Sequence, residues 1–227
     1  MTTGDHHPGP LALVGGGEWG DGCTFDADLL AASGGTEVVV VPTAAAYEHP
    51  DRAVATARAW FERLGATVTG LMALSRLDAE DPAVAAVARG ARFVYLGGGS
   101  PLHLRSVLKQ SLLWQAIEEA WRDGAVLAGS SAGAMVLGDP MVDPRGGAFT
   151  IGLGLLERVA VLPHASSWSP ERFRRTISLT EEGVALLALD ERTAAIRAPD
   201  GTWTEAGVGR AEVHVGGVEA TLADLTR

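Results

Sequence analysis

The sequence predicts an α/β protein in which helices cover both faces of a mostly parallel central sheet, a three-layer sandwich. Short apolar runs end repeatedly in loops rich in glycine or proline. Amphipathic stretches of helical spacing separate these runs along the first half of the chain. Strands that alternate with helices build parallel sheets, because each helix carries the chain back across one face of the sheet.

Each predicted element rests on its own pattern. Apolar runs of strand length predict strands at 11–14, 38–41, 67–74, 93–96, 125–128, 159–162, 184–189, 193–197 and 212–215. Apolar residues at helical spacing, or proline at a first helical position, predict helices over 51–64, from 82, over 101–122 and from 170. Pro199-Asp200-Gly201 predicts a hairpin turn between two late strands.

Length and charge exclude several classes of function. A chain of 227 residues suits a single domain over 1–227, and its polar residues 1–10 predict a flexible tail. The net charge of −10 argues against nucleic acid or an anionic membrane as a partner. There is no signal-peptide core and no membrane-length apolar run, and Cys23 cannot form an internal disulfide. We therefore expect a cytoplasmic protein.

The strongest functional motif is Gly129-Ser130-Ser131-Ala132-Gly133, a G-x-S-x-G between an apolar strand and an apolar helical stretch. A nucleophilic serine in this motif lies on a sharp strand-to-helix turn, and small neighbours permit that strained backbone. Ser130 falls at the variable position, so Ser131 is the predicted nucleophile. The N–H of Ala132, at the start of the helix, would point toward a developing oxyanion.

A glycine loop, Gly97-Gly98-Gly99-Ser100, ends the strand before the elbow. Consecutive glycines let the backbone approach a ligand and offer N–H donors. Ligands of parallel sheets bind beyond the carboxyl ends of the strands, so we expect this loop near Ser131. The loop matches no nucleotide-binding fingerprint. The earlier run Gly15-Gly16-Gly17 gives a weaker signal of the same kind.

A serine nucleophile needs an imidazole base and an acid that orients it. Of the six histidines, His164 alone follows an apolar strand downstream of the elbow, so it is the predicted base. Spacing leaves the acid open among five candidates: Asp139, Asp143, Glu157, Asp190 and Glu191.

The order of the motifs GGGS, GSSAGAM, VLPHASSW and LDERTA resembles the cyanophycinase and peptidase E group of serine peptidases, from about Leu11 to Gly217. The resemblance implies a fold related to class I glutamine amidotransferases and a Ser131-His164-Glu191 triad, with Asp139 as the second choice of acid. It also implies an oxyanion hole formed by the N–H groups of Gly98 or Gly99 and of Ala132. It implies no metal and no cofactor.

The family's substrates are aspartyl peptides: peptidase E removes an N-terminal aspartate from dipeptides, and cyanophycinase cuts a β-aspartyl-arginine polymer. We therefore expect a small peptide substrate, bound by the glycine loop including Ser100. Cyanophycinases carry glutamine or a similar polar residue before the catalytic histidine and at the end of the glycine loop, where this chain has Pro163 and Ser100. Its nearby arginines, which either bind a carboxylate or form a solvated helix face, are Arg172, Arg174 and Arg175.

Two alternative functions and the oligomeric state stay open at this stage. An esterase of the α/β-hydrolase type would use the order Ser131, Glu191, His214. An inactive relative would bind a peptide or small metabolite without turning it over. The late strands could also pair across a two-fold axis, which would give a homodimer. A glutamine amidotransferase activity is set aside, because it needs a cysteine at the elbow.

Overall fold

The computed structural model describes residues 7–226 of the chain. Its largest sheet contains, in spatial order, Trp203–Gly207 (β13), Thr193–Arg197 (β12), Leu11–Val14 (β1), Val126–Ser130 (β5), Phe93–Leu96 (β4), Glu37–Val41 (β2) and Thr67–Gly70 (β3). The five strands β1, β5, β4, β2 and β3 run parallel, whereas β12 and β13 are antiparallel additions beside β1. The predicted parallel sheet is therefore present, with an antiparallel edge.

Helices and short 3-10 turns connect the strands. The helices are Phe25–Ser33 (α1), Pro50–Arg63 (α2), Arg76–Ala79 (α3), Pro82–Gly90 (α4), Pro101–Leu108 (α5), Leu112–Arg122 (α6), Ala132–Leu137 (α7) and Pro170–Leu179 (α8). The 3-10 turns are Thr43–Ala45, Ala165–Ser167 and Leu222–Thr226. The single helix predicted over 101–122 is two helices, because Gln110 has a φ of 60° and the Ser111 hydroxyl caps α6 by accepting from the N–H of Trp114.

Six of the later strands form a second sheet rather than completing the first. In spatial order they are Val218–Ala220 (β15), Ala211–Val215 (β14), Ala185–Leu189 (β11), Val159–Leu162 (β10), Gly138–Asp139 (β6) and Leu156–Glu157 (β9). A small hairpin joins Met141–Val142 (β7) to Phe149–Thr150 (β8). Every residue of β10 and β11 is buried, so apolar and polar residues do not alternate along these strands. Their sequences therefore do not indicate which sheet they join.

Side chains of the central strands point alternately to two apolar cores. Leu11 and Leu13 of β1 face a core shared with α5, α6, α7 and the second sheet. Ala12 and Val14 face the other core, which contains residues of α1 and α2 such as Phe61. This period of two is the expected geometry of a strand buried on both faces. The three-layer α/β class is confirmed.

The amino-terminal segment is bound to the body of the protein where the structure describes it. Of the tail expected over 1–10, residues 1–6 lie outside the described residues. The Gly9 N–H donates to the Trp121 carbonyl at 2.8 Å, and the Trp121 indole N–H donates to the Gly9 carbonyl at 2.8 Å. Within 7–226, no helix combines the length and apolarity that crossing a membrane requires.

The carboxyl of Asp26 is buried near the start of α1. Its side chain is fully enclosed, and its Oδ2 accepts a hydrogen bond from the Trp60 indole at 2.8 Å. Its Oδ1 has no hydrogen-bond partner among the described residues. Burial raises the pKa of Asp26 to about 7, the Trp60 hydrogen bond lowers it in part, and the Glu18 charge raises it further. Below about pH 7 the folded protein therefore favours the neutral form of this acid.

We expect Asp26→Asn to stabilise the protein at pH 8 but not at pH 4. The pKa of Asp26 is about 7 in the folded state, above the value of 3.8 for a free carboxyl, so the unfolded chain releases its proton first as the pH rises. Wild-type stability therefore falls between about pH 4 and pH 7, by at most about 4 kcal/mol, and asparagine removes this loss. Urea unfolding at both pH values measures the difference.

The matched control is Asp28→Asn, an exposed carboxyl on the same helix. It should change the free energy of unfolding by less than about 0.5 kcal/mol at both pH values. Equal stabilisation of Asp26→Asn at pH 4 and pH 8 would contradict the assignment of a neutral buried acid.

Candidate active site

The predicted site residues lie at the carboxyl ends of strands from both sheets. The loops after β1, β4 and β5 meet those after β10 and β11 at one end of the molecule. Ligands of open α/β folds bind at this end, where loops can vary without disturbing the sheet. The geometry of each loop decides which side chains and N–H groups reach the site.

Ser131 lies on the sharp turn that the sequence motif predicts. Its φ of 49° and ψ of −110° are strained, and its N–H donates to the Val14 carbonyl at 2.9 Å. Both motif glycines are needed for space: a Cβ on Gly129 would lie 2.5 Å from the Gly133 carbonyl oxygen. A Cβ on Gly133 would lie 2.2 Å from the Leu96 carbonyl oxygen. The turn therefore requires small residues at these two positions.

The serine, the histidine and the glutamate of the expected triad are hydrogen-bonded in series. Ser131 Oγ lies 2.9 Å from His164 Nε2, and His164 Nδ1 lies 2.9 Å from Glu191 Oε1. The side chains of His164 and Glu191 are 35% and 52% exposed, so the acid end of the series borders solvent. A carboxylate in the position of Glu191 can accept a hydrogen bond from a proton on Nδ1, and Nε2 is then free to accept a proton from a serine hydroxyl.

The two neighbouring acids after β11 have different partners. The Glu191 carboxylate binds the imidazole of His164, whereas Asp190 binds backbone on either side of the strand end. Asp190 Oδ1 accepts from the Ser166 N–H at 2.9 Å, and Oδ2 accepts from the Arg210 N–H at 3.1 Å. Asp190 thus holds the turn that follows His164, and Glu191 is the acid within reach of the imidazole.

Two other candidate acids lie away from His164. Asp139 Oδ1 accepts from the Gly152 N–H at 3.2 Å. Asp143 is paired with the Arg145 guanidinium at 2.6 Å, and the hydrogen bonds from Arg145 lower the pKa of Asp143. The remaining candidate, Glu157, ends β9 and is exposed at the edge of the second sheet.

His214, which the esterase alternative requires, lies within β14. It pairs in register with Leu186 of β11, and its ring packs edge-on against Phe173 with the centroids 5.6 Å apart. Neither His214 nor Phe173 lines the cleft beside Ser131. The imidazole that contacts the serine is that of His164.

Of the N–H groups expected in an oxyanion hole, two are open and one is occupied. The N–H groups of Ala132 and Gly99 have no protein acceptor within residues 7–226. The Gly98 N–H instead donates to Glu18 Oε1 at 3.0 Å, so of the two alternatives in the glycine loop, Gly98 or Gly99, only the N–H of Gly99 is open in this structure. The Gly98 N–H is occupied because a side chain from the loop after β1 accepts its hydrogen bond. The sequence of the glycine loop does not indicate this contact.

Ser100 shapes the glycine loop but does not line the cleft. Its N–H donates to the Ala44 carbonyl at 2.8 Å, and its Oγ caps α5 by accepting from the His103 N–H at 3.3 Å. Its role in substrate binding stays a prediction. A Cβ on Gly99 would lie 2.4 Å from the same Ala44 oxygen, so glycine is required beside it.

The first glycine run, Gly15 to Gly17, contacts His164 and the residue after Glu191. The His164 N–H donates to the Gly15 carbonyl at 2.8 Å, and the Arg192 N–H donates to the Gly16 carbonyl at 2.7 Å. A Cβ on Gly16 would lie 2.2 Å from the His164 imidazole. The sequence showed a glycine-rich loop at the end of a strand. The spacing of residues could not show that this loop contacts His164.

A cleft of about 250 Å³ lies beside the Ser131–His164 pair. Its lining includes Arg172, whose guanidinium carbon lies 4.4 Å from the Trp168 ring centroid and whose Nη2 donates to the Pro144 carbonyl at 3.4 Å. Of the three arginines considered from the sequence, Arg172 reaches the cleft, whereas Arg174 and Arg175 are exposed elsewhere on α8. A guanidinium that stacks on an indole ring is held in place by the ring face, while the N–H groups at its edge can still donate hydrogen bonds to a ligand.

A larger cavity of about 510 Å³ lies at the opposite ends of β10 and β11. It is bordered by Val159 and Ala185, the first residues of these strands, and by part of β15 and the turn after it. None of the triad side chains borders it. Chemistry, rather than volume, therefore identifies the smaller cleft as the candidate active site.

The chain is similar to known peptidases over most of its length. The model of peptidase family S51 matches residues 11–204. The cyanophycinase of Synechococcus elongatus is 28% identical over 226 residues, covering 92% of this chain and 69% of that protein. A crystal structure of a peptidase from an acI-B1 Actinobacterium is 31% identical, with a TM-score of 0.84 and coverage of 95% and 94%.

A putative peptidase E protein from Listeria monocytogenes shares the fold, with a TM-score of 0.68 at 19% identity over 89% of this chain and all of that one. The family match spans every element that carries the triad. The chain is therefore a peptide-hydrolysing enzyme and belongs to peptidase family S51.

Proposed function

We propose that this peptidase hydrolyses the peptide or isopeptide bond of a small acidic peptide through an acyl-enzyme on Ser131. The observation that carries the proposal is the unbroken series from Ser131 Oγ through His164 to Glu191, with both hydrogen bonds at 2.9 Å. A serine hydroxyl at a strained elbow, with an oriented imidazole beside it, is the arrangement that acyl transfer needs.

In the first half of the reaction Ser131 Oγ attacks the substrate carbonyl carbon while His164 Nε2 takes the hydroxyl proton. Glu191 stabilises the imidazolium that forms and does not itself take the proton. The carbonyl oxygen becomes an oxyanion, for which the open N–H groups of Gly99 and Ala132 are the donors on either side of the elbow. The imidazolium then protonates the leaving amine, and the carbon–nitrogen bond breaks.

In the second half water attacks the acyl-enzyme. His164 Nε2 accepts a proton from the water and returns one to Ser131 Oγ as the ester bond breaks, which releases the acid product. This half needs water beside His164, and the 35% exposure of that side chain supports such access.

The size and charge of the cleft support a short, acidic substrate. A volume of about 250 Å³ suits a dipeptide-sized ligand better than a folded chain. Arg172 is the one cation among the described residues that line it, and these include no carboxylate. A guanidinium binds a carboxylate through two parallel hydrogen bonds. The aspartyl peptides that the family resemblance implies carry such a group.

A fluorophosphonate probe is expected to add one adduct to the wild-type enzyme, on Ser131. Ser131→Ala should abolish labelling, because the attacking oxygen is gone. His164→Ala should slow labelling by at least about a hundredfold, because the base is lost. Intact-mass spectrometry followed by peptide mapping measures the adduct and its position.

The control is His214→Ala, which removes an imidazole outside the cleft and should label within about twofold of wild type. Loss of labelling in His214→Ala with retention in His164→Ala would favour the esterase order of residues instead. A wild-type enzyme that neither reacts with the probe nor cleaves any peptide would indicate an inactive relative.

Arg172→Ala is expected to raise KM for α- or β-aspartyl dipeptides by about tenfold to a hundredfold, the value of one charge-assisted hydrogen-bonded contact. Cleavage of neutral dipeptides should change by less than about threefold. Steady-state kinetics on matched aspartyl and alanyl dipeptides with amidated carboxyl termini, in which the aspartyl side chain or its freed α-carboxyl is the one carboxylate, measure both effects.

Arg174→Ala, an exposed arginine on the same helix, serves as the control and should leave both substrates unaffected. Equal losses on acidic and neutral peptides in Arg172→Ala would show that the guanidinium supports the cleft wall rather than a substrate carboxylate.

A further inference from the structure

One carboxylate outside the triad joins the nucleophile turn to the glycine loop. Glu18 follows the glycine run after β1, and its Oε1 accepts from the Gly98 N–H at 3.0 Å. Its Oε2 accepts from the Ser130 hydroxyl at 2.7 Å. Because β1, β5 and β4 are adjacent in the sheet, the loops after them are neighbours, and one side chain spans all three.

Both partners of Glu18 lie next to groups with proposed roles in the reaction. Ser130 is fully buried and precedes Ser131 directly. Gly98 precedes Gly99, and a Cβ on Gly98 would lie 3.5 Å from Ser131 Cβ. The carboxylate therefore fixes the distance between the nucleophile turn and the peptide that carries the proposed oxyanion donor.

The hydrogen bonds of the glycine loop leave one amide open toward the cleft. The Gly97 N–H donates to Val41, that of Ser100 donates to Ala44, and that of Gly98 donates to Glu18. Among the described residues only the N–H of Gly99 in this loop has no protein acceptor, and Gly99 lines the cleft. Of these bonds, the one from Gly98 is the one made to a side chain.

A negative charge beside a developing oxyanion opposes the reaction, so electrostatics do not favour Glu18 here. What the carboxylate supplies is a pair of acceptors at the correct separation. A glutamine could replace it without loss of either contact, since its amide oxygen can accept from Gly98 and its amide nitrogen can donate to the Ser130 hydroxyl. Geometry and charge can therefore be tested separately.

We propose that Glu18 is a positioning residue, which holds the Gly99 N–H in register with Ser131 for transition-state binding. This inference rests on the proposed function of Ser131 as the nucleophile. Glu18 touches neither His164 nor Glu191 and does not line the cleft, so it acts through the two segments that it joins.

The test measures kcat and KM on a cleaved dipeptide for wild type, Glu18→Ala, Glu18→Gln and Ser131→Ala. Glu18→Ala should lower kcat by about a hundredfold with KM changed by less than about threefold, because oxyanion contacts strengthen only in the transition state. Glu18→Gln should restore kcat to within about threefold of wild type. A peptidyl boronic acid, which mimics the tetrahedral adduct, should lose affinity for Glu18→Ala by a factor similar to that for kcat.

A purely structural role predicts a different outcome. Glu18→Ala would then show a lower melting temperature, with kcat per folded molecule and boronic acid affinity unchanged, and this result would overturn the proposal. If Glu18→Ala does not fold, Glu18→Asp replaces it: its shorter side chain cannot reach both donors, so kcat should fall while Glu18→Gln stays active. Full activity of Glu18→Asp would equally overturn the proposal.

The inference and the proposed function fail in distinguishable ways. If Ser131→Ala retains the activity of wild type, the nucleophile assignment is wrong and that of Glu18 falls with it. If Ser131→Ala is inactive and Glu18→Ala matches wild type in kcat, Ser131 keeps its role and the positioning role of Glu18 alone is wrong.

Discussion

The contact of the β1 loop with the His164 imidazole is the constraint on which the geometry of the site depends. The ring lies so close to Gly16 that any side chain at that position would overlap it. The preceding carbonyl, that of Gly15, holds the His164 backbone. The imidazole can therefore occupy this position only if residue 16 is glycine. Ser131 and Glu191 contact the ring from its two nitrogen atoms.

The parts of the site that could be predicted are those whose signal is local. The elbow at Ser131 is specified within five residues, because its strained backbone demands Gly129 and Gly133 beside it. His164 could be proposed because it lies two residues after the end of a buried strand. The choice of Glu191 over Asp190 needed the family resemblance, since adjacent residues at a strand end point in different directions and spacing does not say which one meets the imidazole.

The parts that could not be predicted depend on contacts between distant segments. Glu18 and Gly98 are 80 positions apart, and only the spatial order of β1, β5 and β4 brings them together. The second sheet was missed for a similar reason. Its two central strands are buried along their whole length and so carry no alternation that would assign them to one sheet or the other. Most of the first sheet, in contrast, follows from strands and helices that alternate along the chain.

The three residues of the proposed triad follow strands of both sheets, and this arrangement has a mechanical consequence. Ser131 follows β5 of the first sheet, His164 follows β10 of the second, and Glu191 lies where the chain crosses from β11 back to β12. A small rotation of one sheet against the other would change the Ser131–His164 separation directly. If Ser131 is the nucleophile, its reactivity depends on how the two sheets pack. A ligand that binds both Ser131 and His164 would then hold the two sheets in one relative orientation.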